Sequence, residues 1–402
     1  MTTTSHAAHR SPPAVLSVGF RPFFLLGALF AVIMIALWVP WFLGFIEVPS
    51  AFPPVAWHAH ELLFGFMPAI MGGFLLTAVP NWTGRPPVAG WPLAGLVLLW
   101  LAGRIAIALS AHLDPAATAA LSAAFPVVLA TVVGREIALA RNTRNLKVVA
   151  VLVGLAAADL LFHYEIWQFG RPRHAQTVAV ALALLLVIMI SGRIIPLFTA
   201  NWLKANRAGA PVPPAFDRID LAAVLLSVAA LLGWTGLSVF APGPWGRPLV
   251  ATLMLAAAAA NLVRQARWQP HRTGAEPLLA ILHVAYAFVG LGFLLTGLGV
   301  LGNDYDYATA GIHAWTVGAI GTMMIAVMTR VSRGHTGRPL TASAGTVVLY
   351  ALILIAAAAR IAAALRPQAT PILLPLSGLA WIGAFAGFVA LHAPMLTRDR
   401  IK

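Results

Sequence analysis

Apolar runs of bilayer-crossing length recur along the whole chain, and nothing else in it limits the possible folds so sharply. Twelve can be marked, roughly at residues 22–46, 57–80, 91–112, 116–138, 146–166, 175–200, 219–241, 247–265, 278–301, 311–331, 343–365 and 372–396. A helix needs about 20 apolar residues to cross the hydrocarbon layer. A helix also satisfies its own backbone there, which an open sheet cannot. A membrane barrel would show alternating segments of about 10 residues instead. Only 9% of the 402 residues are charged, against about 25% in an ordinary soluble domain. The expected fold is an all-α polytopic membrane protein, one integral membrane domain over residues 1–402 with about twelve transmembrane helices. The breaks carry turn chemistry at Pro53-Pro54, Gly84-Arg85-Pro86-Pro87, Pro211 to Pro214, Pro242-Gly243-Pro244 and Arg366-Pro367. The opening MTTTSHAAHRSPP has no apolar core followed by a small-residue cleavage site. It is expected to be a polar tail with His6 and His9 solvated.

The net charge of +14 comes from basic residues in the connections. They gather in the N-terminal tail, the even-to-odd loops and the C-terminal tail. The opposite set of loops holds only Arg171, Arg173, Arg247 and Arg366. The positive-inside rule then puts both termini in the cytoplasm of a multi-pass protein of a bacterial inner membrane. No basic stripe interleaved with aromatics appears, so nucleic acid is not an expected partner; the lipid bilayer is. Arg104, Arg193 and Arg360 fall inside apolar segments, where a charge needs a partner or a function.

Cysteine is absent. That excludes disulfides, thiolate metal sites, iron–sulfur clusters and covalently attached c-type haem. A metal would have to be held by His, Met, Tyr or carboxylate. The same topology brings His58, His60, His112, His163, His174 and His313 to one level, the outer end of the bundle. A lone histidine at a helix end is usually an interfacial hydrogen-bonding residue. A group of them at one depth points to a shared metal or haem site.

An internal match sharpens the assignment. HELLFGFMPAIMGGFLLTAVPNWTGRP from His60 aligns without a gap with HAWTVGAIGTMMIAVMTRVSRGHTGRP from His313. The match pairs His60 with His313, Gly65 with Gly318, and Thr83-Gly84-Arg85-Pro86 with Thr336-Gly337-Arg338-Pro339. Segment 6, headed by His174 and ending in Asn201-Trp202, is a looser third copy. The pattern predicts three four-helix units around a pseudo-threefold axis. Two equivalent histidines on facing helices can clamp a haem iron, so His60 and His313 are the expected ligands of a non-covalent haem b. His58 lies about 200° around the helix from His60 and is expected to serve a second centre. With His163 and His174 it would form a three-histidine copper site, imidazole being a good copper ligand. Asp159 is four residues before His163 and on its face of the helix, a position from which a carboxylate can orient a ligating imidazole. It could equally pair with Arg104 or Arg193. Glu61 and Glu165 are expected to be solvated interfacial carboxylates or accessory groups, as is His112. Met67, Met71, Met323, Met324 and Met328 are expected to be packing residues. The loop NDYDYATAGIH brings Asp304, Tyr305, Asp306 and Tyr307 to the same end, as a cover for the site or an aromatic belt.

The stretches GFRPFF, WHAHELLFG and GFLLTAVPNWTGRPP, with the twelve-segment layout, resemble the NnrS family over the whole chain. The resemblance implies a haem- and copper-containing inner-membrane protein linked to nitric oxide metabolism, denitrification and resistance to nitrosative stress. The expected function is then redox chemistry on nitric oxide or a nitrosyl species, of the kind catalysed by nitric oxide reductases; the electron donor is unknown, a quinol or a small redox protein being the candidates. A looser resemblance is to the haem–copper oxidases, where helices 2 and 10 clamp the low-spin haem and helix 6 contributes to a second metal. The chain departs from them: its His-x-His pair is in segment 2 rather than segment 10, and segment 7 has no histidine. Two other functions fit the same composition: a transporter or metal-handling protein, and a nitric oxide or redox sensor without catalysis.

Overall fold

The structure, a computed structural model, describes residues 12–207, 209–240 and 243–401, so His6 and His9 lie outside it. Among the described residues the regular structure is helical throughout, without strands. Twelve helices are long and apolar enough to cross a bilayer: α1 (Phe20–Phe42), α2 (Pro54–Thr83), α3 (Trp91–Ala108), α4 (Pro115–Leu139), α5 (Thr143–Phe169), α6 (Ala175–Asn206), α7 (Arg218–Val239), α8 (Gly246–Arg272), α9 (Pro277–Gly302), α10 (Tyr305–His335), α11 (Ala344–Leu365) and α12 (Pro367–Thr397). Several outrun their apolar cores. Polar residues beyond the hydrocarbon still gain backbone hydrogen bonds by continuing the helix, and side-chain caps then set the end. Asp304 caps α10 by accepting from the N–H groups of Asp306 and Tyr307. Asp217 and Asp220 form a reciprocal capping box at the start of α7.

Chain neighbours pack in antiparallel pairs, and α12 closes the bundle against α1. The interior belongs to α2 and α10. In their most apolar windows 83% and 78% of residues are buried, against 22% in α7, which lies at the rim. Both inner helices change pitch at matching places. α2 is π-helical over Glu61–Phe66 and α10 over Ala314–Gly321, each starting one residue after the histidines that align in sequence. Such stretches frequently mark functional sites. In α2 the Gly65 carbonyl accepts a 2.9 Å bond from the Trp100 indole N–H. Both helices lead into left-handed glycines of the TGRP turns, Gly84 (φ 69°) and Gly337 (φ 79°). α6 is α-helical from end to end and shares neither π stretch nor turn.

Candidate functional site

The two faces of α2 at its histidine end meet different surroundings. On one face His60 is fully buried, and both ring nitrogens lie 2.9 Å from carboxylate oxygens: Nδ1 from Glu61 Oε1 and Nε2 from Asp159 Oδ1. The second Asp159 oxygen accepts from the Ser122 hydroxyl at 2.9 Å, and Arg104 donates to Ser122 at 3.2 Å. The Arg104 guanidinium also donates to Glu61 Oε1. These bonds close a ring, Glu61–Arg104–Ser122–Asp159–His60, drawn from α2, α3, α4 and α5. The rings of Phe52, Phe64 and Phe162 wall it in, with centroids 5.1, 5.2 and 5.3 Å from His60. Gly65 makes the closure possible, because a Cβ there would stand 2.8 Å from Arg104 Nη1.

The ring is short of one positive charge. It holds two carboxylates and one guanidinium, all buried. A buried charge must be balanced. Either a proton on His60, so that both nitrogens donate, or a cation among the ligand atoms supplies the balance. His163 is placed for the second. Its ring is 5.1 Å from that of His60, and its Nε2 is buried without a hydrogen-bond partner, 3.6 Å from Asp159 Oδ1. One ligand atom each from His60, Asp159 and His163 lies within 4.8 Å of the others. With Nε2 turned to a cation, His60 Nδ1–H donates to Glu61, itself fixed by Arg104. That is the carboxylate–histidine support found around metal ligands.

On the other face His58 stacks flat on Trp38 of α1, ring centroids 3.8 Å apart and planes within 16°. It lines a cavity of about 480 Å³ bounded by α1, α2, α6, α10, α11 and α12. His313 lines the same cavity from α10. Its Nδ1–H donates to the Thr309 carbonyl at 2.8 Å, one turn back, so its Nε2 carries the free lone pair. Arg360 enters from α11 with its Nε buried and unpartnered. Tyr305 and Asp306 form part of the rim and the rest is mainly apolar.

The sequence-predicted residues are therefore sorted differently from their depth. His60 and His313 are not brought together, because they face opposite sides of α2; the histidine that shares a cavity with His313 is His58. The set His58, His163 and His174 is divided too. His163 joins His60 and Asp159, whereas His174 precedes α6 and belongs to neither centre. Glu61 is 1% exposed rather than solvated. Glu165 is buried as a cap for α6, accepting from the backbone N–H groups of Arg173, His174 and Ala175 at 2.7 to 3.2 Å. His112 is exposed on the turn after α3. Arg193 bonds Asn145 rather than Asp159. Sequence reasoning missed Ser122, which carries no signal in an apolar helix. It also missed the Arg104–Glu61 pair, which a buried arginine's need for an anion could have suggested.

A sequence model of the NnrS protein family matches residues 14–400. The chain belongs to the NnrS family. Membership fits a role in the response to nitric oxide, in a protein whose twelve spans make it multi-pass. No curated protein matches the chain.

Proposed function

We propose that this NnrS chain is a haem- and copper-binding protein of the bacterial inner membrane that performs redox chemistry in nitric oxide metabolism. The haem, of b type, is held by His58 and His313, and the copper by His60, Asp159 and His163. The observation that carries the reading is the division of the His58-x-His60 pair between a large apolar cavity and a closed polar ring short of one positive charge. The cavity suits a tetrapyrrole: two imidazoles reach it from facing helices, the lining is apolar, and Arg360 brings an unpartnered cation to meet a carboxylate side group. Its size falls within the range of cofactor pockets, about 300–1,000 Å³. The ring suits a metal that accepts imidazole and carboxylate, and each proposed ligand is already oriented: His60 by Glu61, Asp159 by Ser122.

When bound, the two groups supply one-electron chemistry. The chain's own residues determine how it is used. His58 and His313 would hold the haem from facing helices, and it would supply electron transfer there. His60, Asp159 and His163 would hold the metal, each offering one ligand atom within 4.8 Å of the others. Phe52, Phe64 and Phe162 keep bulk water from it. The experiment is metal analysis paired with an optical spectrum of the purified protein. Wild type should hold both groups; His58→Ala and His313→Ala should each lose the low-spin haem spectrum and keep copper. His60→Ala and His163→Ala should lose copper and keep haem. A haem spectrum surviving in His58→Ala but not in His60→Ala would overturn the assignment, and a protein free of both would leave transport as the better reading.

A further inference from the structure

A second, half-open apolar cavity lies further along the bundle, where α2, α6 and α10 meet, with a volume of about 80 Å³. It shares Met67 and Ile320 with the haem-sized cavity above, so these two side chains form the wall between them. Both stand at the ends of the π stretches of α2 and α10. Its only side-chain hydroxyl is that of Ser191, which is directed at the Met323 sulfur at 3.8 Å. An ordered water needs two to four polar partners, and this almost wholly apolar lining offers none besides Ser191, so it favours an apolar guest over water. Room for a guest larger than one water, without the polar partners that would hold water, selects a small uncharged molecule.

We infer that this cavity is a binding site for a small uncharged diatomic gas, an apolar antechamber on the membrane side of the upper cavity. That the physiological guest is nitric oxide rests on the proposed function; the site itself does not. Met67 is suited to the dividing wall, because an unbranched thioether changes rotamer readily and opens a passage without moving backbone.

The test uses dissolved oxygen, a paramagnetic uncharged diatomic, and the full chain in lipid nanodiscs with ¹³C-labelled methionine methyls. Met67, Met71, Met323 and Met324 line the cavity, whereas Met34, Met254 and Met328 are fully buried and line neither cavity. Oxygen should raise methyl relaxation of the first four several-fold more than that of the three controls. Ala183→Leu and Val187→Leu, which fill the cavity from α6, should remove the difference. Equal enhancement in the lining and control methyls of wild type would overturn the site. So would an enhancement that survives in both filled variants, which would assign it to oxygen dissolved in lipid. Failure of the haem reading would appear separately, in the optical spectrum of the same sample.

Discussion

Glu61→Gln isolates what the closed ring on α2 contributes, because it keeps the shape of the side chain and removes only its charge. Two contacts change. Arg104, 5% exposed, loses the anion against which its guanidinium rests. His60 Nδ1, 2.9 Å from Glu61 Oε1, loses a carboxylate acceptor. An exposed ion pair of this type is worth about 0–1 kcal/mol. Removing one member of a buried pair costs about 3–5 kcal/mol when the survivor is left unbalanced; in Glu61→Gln, Asp159 still balances Arg104 through Ser122, so the loss should fall below that range, whereas Arg104→Met leaves two buried carboxylates and should meet it. The effect on the metal is separate. Loss of the partner that orients a ligating histidine weakens metal binding about 10–100-fold, or about 1.4–2.8 kcal/mol. The double variant Glu61→Gln/Arg104→Met separates the two, since it removes the excess carboxylate charge that Arg104→Met alone leaves, without restoring the orienting carboxylate. Unfolding of the metal-free protein in nanodiscs should show a large loss in Arg104→Met, a smaller one in Glu61→Gln, and recovery of most of the Arg104→Met loss in the double variant. Copper competition against a chelator should show weakened binding in Glu61→Gln and in the double variant. If the effects of the two single substitutions simply add, within about 0.5 kcal/mol, the pair is not coupled and the ring is not an energetic unit. If both variants bind copper as tightly as wild type, Glu61 does not orient a ligand.

Outside the membrane-spanning helices, Asp217 is hydrogen-bonded by Arg267, which lowers its pKa to about 2. Its contribution is therefore full above the ordinary carboxylate value and fades as pH falls toward 2; Arg267→Gln should move the carboxyl titration, read by NMR, back up toward the ordinary range. A Cβ on Gly192 would overlap the Arg264 guanidinium, whose Nε donates to Asp220 at 2.8 Å and which also bonds Tyr286. Gly192→Ala should therefore lower the unfolding midpoint by an amount matching about 1–3 kcal/mol of overpacking, while leaving the spectra of both centres unchanged. Cysteines placed at Asp304 and Arg400 test the orientation expected from the basic loops: an impermeant reagent applied to whole cells should label Asp304→Cys and spare Arg400→Cys.

The membrane spans were legible because crossing a bilayer requires an uninterrupted apolar run, and hydropathy reports that requirement directly. Depth was legible too, since a residue's distance from the end of its run translates into height. Azimuth was not. A single sequence gives the angle between His58 and His60 but not which neighbour each meets. Grouping by height therefore joined His58 to His163, across a helix that keeps them apart, and to His174, which lines neither site. The alignment of His60 with His313 pairs positions along two helices rather than the directions in which side chains point, and nothing in it foretold the π stretches that follow both histidines. Glu165 was misread for a different reason. Its three backbone donors come from the turn before α6, and loop geometry leaves no periodic trace. The Asp159–His163 pair was legible because an i, i+4 spacing fixes a shared face whatever surrounds it.

The π stretch after His60 gives the two-centre reading a test of its own. An i→i+5 turn carries one residue more than an α-helix spends on the same rotation. Deleting Leu62 would let Glu61–Phe66 relax to α-helix, keep α2 long enough to cross the bilayer, and turn His58 and His60 by about 100° relative to everything below them. His58 would leave Trp38 and the cavity, and His60 would leave Asp159. Each histidine substitution should empty one centre; this deletion, which removes no ligand, should empty both while helical content is retained. If haem or copper survives in the deletion variant at its wild-type level, the pitch of α2 does not aim that histidine. The fixed partners on the neighbouring helices, Trp38 for one and Asp159 for the other, would then be what holds it in place.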